Sequence, residues 1–442
     1  MKIQLSDHFT YKKLMAFTLP SIAMMIFTSI YGVVDGFFVS NFVNETAFAS
    51  VNFIFPFLMV LGAVGFMLGT GGCALIARTL GEGKPEKAKR LFSLIVCVSI
   101  GVGILLAAVA FTFIRPIAEW LGAEGEMLDY CVLYGRINLI ALPALLLQYE
   151  FQSFFVTAEK PQLGLFVTVA AGVTNMVLDA LLVAVFPLGL AGAAIATAAS
   201  QVIGGIVPLI YFARPNSSLL KLVKPEFDGK ALVRTCTNGS SEFLSNISMS
   251  VVGMLYNAQL MKYANENGVA AYGVLMYVNM IFIAYFIGYA IGTAPVVSYH
   301  YGAGNYTELK SLVKKSVIII GIVSVLMLVL GEVLAKPLSQ IFVGYNETLL
   351  QMTLRGFLIY SFSFLFAGIS IFASSFFTAL NNGLLSAVIS FLRTAVFQVA
   401  AVLILPTFLE LDGIWLSIVV AEVVAATVAV IVLLANRKRY QY

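Results

Sequence analysis

Long apolar runs separated by short polar breaks dominate the chain. An α-helix needs roughly 20 apolar residues to cross a bilayer, and twelve runs reach that length. The predicted membrane helices lie at about residues 14–40, 47–77, 91–114, 128–157, 161–186, 189–213, 232–262, 268–299, 313–335, 350–380, 384–408 and 412–436. The pattern therefore predicts an all-α integral membrane protein of twelve transmembrane helices, with no soluble domain.

Composition supports this class and argues against several functions. Of the 442 residues, 60% are apolar and only 11% are charged, which is too little charge to cover a soluble surface. The net charge is only +4, and no basic stripe suggests nucleic-acid binding. The sequence has no GxxxxGK[ST] phosphate loop and no HExxH or GxSxG motif. We therefore expect neither an enzyme nor a cofactor.

The distribution of Lys and Arg predicts the orientation in the membrane. If the N-terminus is cytoplasmic, 20 of the 26 Lys and Arg residues fall in cytoplasmic segments and three fall in outer loops. Cytoplasmic loops of membrane proteins carry such an excess of basic residues. We therefore expect a multi-pass protein of the cell membrane with both termini in the cytoplasm.

A repeat relates the two halves of the chain. The pattern Gly-x-Gly-x5-Lys occurs at 81–89 and again at 302–310, displaced by 221 residues. Six helices fit in each half, so both halves enter the membrane from the same side and the repeat is parallel. The sequence predicts a six-helix lobe over 1–213, a cytoplasmic linker over 214–230 and a second six-helix lobe over 231–442. Such two-lobed proteins usually enclose a site and alternate the access to it.

Polar side chains inside the predicted helices are candidates for function, because a charge within the bilayer is costly. Asp35 lies in the first helix, and Pro20 can bend that helix. Asn175 and Asp179 lie one turn apart on the fifth helix, and Thr197 lies in the sixth. Their oxygen atoms suit Na+, and two close carboxylates could instead share a proton. Alternatively, Asn175 and Asp179 only bond each other or a neighbouring helix.

The second half lacks this set of side chains. At a displacement of 221 residues, Tyr256 corresponds to Asp35 and Ala400 corresponds to Asp179. A site that couples transport to the binding of Na+ or a proton is therefore expected in the first lobe alone. Glu242 is either a separate cavity carboxylate or one partner of an interhelical hydrogen bond.

Five further ionisable residues lie within or near the predicted helices. Glu150 and Glu422 are expected to form structural pairs. Arg136 and Arg355 lie near helix ends, where long basic side chains reach the membrane surface. Arg393 could pair with an acid that the sequence does not identify.

Several features occur together as they do in one transporter family. Both halves carry a Gly-Thr…Gly-x-Gly…Lys stretch, Tyr31 precedes Asp35 by four residues, and Asn175-x-x-x-Asp179 lies in the fifth helix. Over essentially its whole length the chain therefore resembles the multidrug and toxic compound extrusion (MATE) family. The resemblance implies export of bulky, often cationic and amphipathic compounds in exchange for inward Na+ or H+.

The resemblance also implies roles for individual residues. The coupling cation, Na+ or H+, would bind the oxygen-bearing side chains of the first lobe, namely Asp35, Asn175, Asp179 and Thr197. Pro20 would lie at the helix bend, and Tyr31 and Glu242 are candidates for the substrate cavity. Residues 360–380 carry no carboxylate where some members have one, which argues against a Na+ site in the second lobe.

Two alternatives remain open. A lipid-linked precursor flippase shares this architecture, but such proteins usually carry several basic residues in the cavity, and here only Arg136, Arg355 and Arg393 are candidates. A membrane enzyme or channel would need a catalytic set or a polar pore-lining helix. We expect an antiporter whose partners are small-molecule substrates and membrane lipids, and which acts as a monomer.

Overall fold

The computed structural model describes residues 3–442, without the side chains of Ser40 and Glu45. Lys2, one of the basic residues counted above, lies outside the described residues. The α-helices are α1 Tyr11–Phe42, α2 Glu45–Gly81, α3 Pro85–Leu121, α4 Gly125–Ile140, α5 Leu142–Thr157, α6 Pro161–Asp179, α7 Gly189–Ala213, α8 Gly229–Gly302, α9 Tyr306–Val343, α10 Glu347–Tyr360, α11 Phe364–Ala379, α12 Gly383–Phe391, α13 Gln398–Ile404 and α14 Pro406–Tyr440. The prediction of an all-α membrane protein is confirmed.

Three helix connections are not ordinary loops. A π-helical turn at Ala180–Val185 continues α6. A second π-helical turn, at Leu392–Phe397, joins α12 to α13, and a 3-10 turn at Ser361–Ser363 joins α10 to α11. Within residues 3–442, ten helical segments are long and apolar enough to cross a membrane, and α4 with α5, bent by 59°, makes an eleventh.

Helix α8 is too long for one membrane span. Its 74 residues would extend about 110 Å at the usual rise. The backbone is non-helical at Asn265, with φ 52° and ψ −151°. The rings of Tyr256 and Tyr272, on either side of that residue, stack with their centroids 5.4 Å apart. The two parts of α8 therefore turn back against each other at Asn265.

Polar side chains cap the starts of several helices, and a proline lies in the interior of α1. The side chains of Thr10, Asp228 and Asn346 accept hydrogen bonds from the backbone at the starts of α1, α8 and α10, which satisfies donors that a helix start leaves free. Pro20 lies inside α1, which is helical from Tyr11 to Phe42. The predicted bend at Pro20 stays a prediction.

The buried apolar side chains form cores within each half and one core that joins them. One core draws on residues 39–194 and another on residues 252–418. A third combines residues 5–25 with residues 284–442. The N-terminal segment and the first part of α1 therefore pack against the second half of the chain.

The first glycine of each repeated motif lies where the two halves touch. A Cβ atom at Gly81, the last residue of α2, would lie 2.0 Å from the carbonyl oxygen of Tyr299 on α8. A Cβ atom at Gly302 would lie 2.2 Å from the carbonyl oxygen of Arg78 on α2. Only glycine permits such an approach of two helix backbones, as in other membrane helix pairs. The repeat seen in the sequence thus marks a contact between the halves.

The segment before α1 binds both halves at the same end of the bundle. The backbone N–H of Leu5 donates to Glu159 at 2.7 Å, and that of Phe9 donates to Glu308 at 2.9 Å. His8 also contacts Glu308, at 2.6 Å. The C-terminal Tyr440 accepts a hydrogen bond from Asn382 near this end. We call the end formed by residues 3–10, 82–84, 303–305 and 440–442 the terminal face.

Candidate functional site

Helices α1, α6 and α7 bring the four predicted coupling side chains together. Thr197 on α7 donates a hydrogen bond to Oδ1 of Asp35 on α1, at 3.4 Å. Asp35 also lies beside Asp179 and Asn175 of α6. Residues separated by up to 162 positions in the chain thus form one cluster, which we call the first-half cluster. Its role in coupling stays a prediction.

A glycine and a π-helical turn allow this convergence. A Cβ atom at Gly172 would lie 2.5 Å from the ring of Phe27 and 2.8 Å from that of Tyr31, so glycine lets α1 approach α6. Asp179 ends α6, and the π-helical turn Ala180–Val185 follows directly. Such wider turns inside helices occur frequently at functional sites. The sequence analysis missed Gly172, which lies two turns before Asp179 on the same helix face.

The cluster holds buried acceptor atoms without donors. Asp179 is fully buried and Asn175 is 1% exposed. Three of their oxygen atoms have no hydrogen-bond partner among the described residues, namely both carboxylate oxygens of Asp179 and Oδ1 of Asn175. Leaving such groups unpaired costs about 1–3 kcal/mol each, and more for a charged group. A bound proton or monovalent cation would satisfy these oxygens, and the hard oxygen donors fit either ion.

Buried polar residues surround the cluster. Tyr134 on α4 is 2% exposed and lies near Asp35, Asp179 and Thr197. Tyr31 lies near Asp35 on one side and the buried Gln148 of α5 on the other. The sequence analysis did not single out Tyr134 or Gln148, although a polar residue in an apolar helix was an available signal.

Glu150 does not form the structural pair that the sequence predicts. Glu150 is fully buried on α5 and lies beside Ser99 of α3. Within the described chain, however, neither Glu150 oxygen has a partner at hydrogen-bonding geometry. No basic side chain among those described forms an ion pair with it. The prediction of structural pairing was wrong because the sequence shows no distances between helices.

The arginines in or near the second-half helices have partners. Arg393 donates a hydrogen bond from Nε to Glu422 at 2.9 Å, and its Nη2 forms an ion-pair contact with the same carboxylate at 2.8 Å, so the predicted pairing of Glu422 is observed. Arg355 forms an ion pair with Asp412. Glu242 is half-buried and lies near Arg393.

An apolar cavity lies between the two halves. It has a volume of about 350 Å³ and is bounded by α1, α8 and α9. Val33 and Val34, directly before Asp35, form part of its wall together with Tyr277, Phe282 and Leu338. Such a lining suits the apolar part of a ligand.

Comparison with known proteins gives the class. The MatE family model matches residues 20–181 and 243–404, more than half of the chain. The chain therefore belongs to the MatE family. It is a membrane transporter and not an enzyme.

Individual relatives match along nearly the whole chain. The multidrug export protein MepA of Staphylococcus haemolyticus is 26% identical over 436 residues, which is 97% of this chain and 94% of that protein. A crystal structure of MATE in complex with MaL6 superposes with a TM-score of 0.92 at 22% identity, covering 98% of this chain and 97% of the other. An outward-facing multidrug resistance MATE family transporter of the MOP superfamily gives the same values. At this identity the two structures show a shared fold.

Proposed function

We propose that the protein is a cation-coupled antiporter that exports bulky, often cationic and amphipathic compounds, including drugs, by alternating access. The observation that carries this proposal is the first-half cluster, in which two carboxylates and buried unpartnered oxygens meet inside a transporter of the MatE family. The multidrug export function named for the MepA relatives supports the substrate class.

The architecture that we propose has twelve membrane helices in two six-helix lobes. The reversal of α8 at Asn265 supplies a span beyond the eleven segments described above. The family model matches the chain twice, in ranges displaced by about half its length, which supports a parallel repeat. We propose lobes over 1–213 and 231–442, with 214–230 as the linker. Because each chain supplies both lobes, we propose a monomer.

We also propose that the terminal face is cytoplasmic and that the protein resides in the cell membrane. Both termini bind to that face. Most Lys and Arg residues lie in segments on the same side in the twelve-span topology, in agreement with the positive-inside rule. Labelling of introduced cysteines in intact cells tests this orientation, and labelling of residues 214–228 from outside would contradict it.

The mechanism begins with neutralisation of the first-half cluster. When the cavity between the two halves faces outward, a proton or Na+ binds between Asp35 and Asp179. Asn175 and Thr197 supply further oxygen ligands. Neutralisation removes the attraction of the carboxylates for a cationic substrate, which leaves outward. α1 repacks around Pro20. The carrier, which now holds the ion but no substrate, then opens inward and releases the ion. Tyr31 and Glu242 are the proposed contacts with substrate.

Dye uptake into proteoliposomes tests the proposal. An imposed Na+ gradient or pH gradient should drive transport of a cationic dye in the parent protein, and Asp35→Asn and Asp179→Asn should abolish that drive. Asp129→Asn is a matched control, because Asp129 is 69% exposed and pairs with Arg115 away from the cluster. Coupled transport that is unchanged in folded Asp35→Asn protein would refute the mechanism.

The flippase alternative fits the side chains less well. A phosphate-binding cavity needs basic side chains free to meet the ligand. Arg393 and Arg355 instead bind carboxylates, and Arg136 lies over the ring of Phe111, 5.2 Å from its centroid. If neither gradient drives dye uptake by folded protein, the flippase becomes the better interpretation.

A further inference from the structure

The second lobe contains an ion pair within its membrane helices. Arg393 lies on the π-helical turn Leu392–Phe397 and Glu422 lies on α14. Nε of Arg393 donates a hydrogen bond to Oε2 of Glu422 at 2.9 Å, and Nη2 lies 2.8 Å from Oε1 as an ion-pair contact. The two side chains are only 16% and 3% exposed. Charges at such positions are costly and rare in membrane proteins, so this pair needs an explanation.

The pair lies on the two second-lobe segments that correspond in sequence to α6 and α7, the helices that carry three residues of the first-half cluster. At the repeat displacement of 221 residues, Arg393 corresponds to Gly172 and Glu422 corresponds to Gln201. Gly172 is the glycine that admits α1 beside Asp179, and Gln201 lies one turn after Thr197 on α7. The second lobe therefore places a fixed cation in the region where the first lobe has two carboxylates and unpartnered oxygens.

The surroundings of the pair supply further oxygen atoms. Tyr360 lies near both Arg393 and Glu422. Tyr256 lies near Glu422, and its buried hydroxyl has no partner among the described residues. Glu242 lies near Arg393. Carboxylate and hydroxyl oxygens are the ligands of a hard cation. Without the guanidinium, this region would therefore resemble a cation site.

A purely structural salt bridge explains less. Replacing a buried ion pair by apolar residues of similar size is often neutral or stabilising, so such a pair is weak evidence for a stabilising role. A fixed positive charge has a direct consequence in an antiporter, because it neutralises a carboxylate that would otherwise attract the coupling ion.

We propose that Arg393 is a tethered counter-cation, which holds Glu422 neutralised through the whole transport cycle and so confines cation coupling to the first lobe. This inference rests on the proposed antiport function. It makes Arg393 a residue that determines coupling stoichiometry, and it predicts that a neutral residue at this position opens a second cation site at Glu422.

Tryptophan fluorescence can report binding at this site without any transport. Trp415 is 1% exposed and lies two turns before Glu422 on α14, whereas Trp120 is 85% exposed. Trp120→Phe therefore leaves Trp415 as the only reporter. Asp35→Asn and Asp179→Asn abolish ion binding in the first lobe, so that such binding does not contribute to the fluorescence change. Arg393→Gln is then introduced into this background and compared with Arg393→Gln/Glu422→Gln and with the background itself.

The proposal expects a saturable fluorescence change in Arg393→Gln when NaCl replaces choline chloride at constant ionic strength, or when the pH is lowered without Na+. The same ion should raise the melting temperature of this variant. Neither change should occur in the background protein or in the double variant. Folded Arg393→Gln protein that responds to neither ion would overturn the proposal. Because no gradient or substrate is used, this result does not depend on whether antiport itself is demonstrated.

A second variant decides the matter if Arg393→Gln does not fold. Arg393→Met/Glu422→Met, in the otherwise native protein, removes both charges together. The proposal expects folded protein with the parent ratio of coupling ions to dye, because no carboxylate is left to neutralise. A folded double variant with a changed ion-to-dye ratio would overturn the proposal, as would a double variant that unfolds, since the pair would then be needed for structure.

Discussion

Replacing Gly81 by alanine tests how closely the two halves meet at the terminal face. The new Cβ atom would lie 2.0 Å from the carbonyl oxygen of Tyr299 and 2.9 Å from the backbone nitrogen of Ala303. Both neighbours are backbone atoms, one in α8 and one in the residue directly after it, so no flexible side chain can turn away. The two backbones must separate by about 1 Å or more to reach an ordinary contact distance.

The size of the effect follows from the cost of overpacking. Inserting a carbon into a well-packed contact typically costs about 1–3 kcal/mol. In the proposed alternating-access cycle, this contact belongs to the state with a closed terminal face, which is the state described here. The equilibrium between closed and open terminal faces should therefore shift towards the open state by about 5- to 150-fold. Gly302→Ala should act in the same direction, since its Cβ would lie 2.2 Å from the carbonyl oxygen of Arg78.

Spin-label distances across the terminal face measure this shift. After replacement of the four native cysteines, labels at the exposed positions Lys87 and Thr307 report the separation of the halves. Gly81→Ala should increase the population with long distances. Gly101→Ala is the matched control, because nothing lies within 4 Å of a Cβ atom there. A folded Gly81→Ala protein with the parent distance distribution would refute the reasoning.

Three other substitutions follow from contacts in the structure. Asp179→Asn should abolish ion-driven dye uptake without lowering the melting temperature in detergent, because neither carboxyl oxygen has a hydrogen-bond partner to lose among the described residues; a lower melting temperature would contradict this. Gly172→Ala should reduce coupled uptake at least about tenfold, because overpacking displaces α1, and Phe27→Ala should partly restore it; no restoration would show that the clash with that ring is not the cause. Glu308→Gln should speed amide hydrogen exchange at Phe9 by about tenfold, since the charged acceptor is lost, and unchanged exchange would show that this bond does not hold the N-terminal segment.

The same family model matches both halves of the chain, but the interiors of the two halves differ in charge. The first half has Asp35 and Asp179 with unpartnered oxygens beside them, whereas the second has Arg393 bound to Glu422. An internal repeat of helices therefore does not imply a repeated ion site. We expect the asymmetry to give a single coupling site, in agreement with the proposed role of Arg393.

The sequence by itself determined the class of the protein. Spanning a bilayer depends on local length and hydropathy, so apolar runs suffice to predict membrane helices. The intramembrane residues Asp35 and Asp179 could also be selected from the sequence, because a charge in such a run is expensive wherever the helix lies. The glycine motif at 81–89 and 302–310 was visible as a repeat, although its function as a contact was not.

Tertiary structure alone decided which of these residues meet. Helix packing in a membrane depends on shape complementarity between distant segments, and no local pattern records it. The sequence therefore could not identify Glu422 as the partner of Arg393, nor show that Glu150 is without one. It also could not show that Gly172 lets α1 reach Asp179, because a glycine in an apolar helix looks the same whether it faces lipid or an aromatic ring.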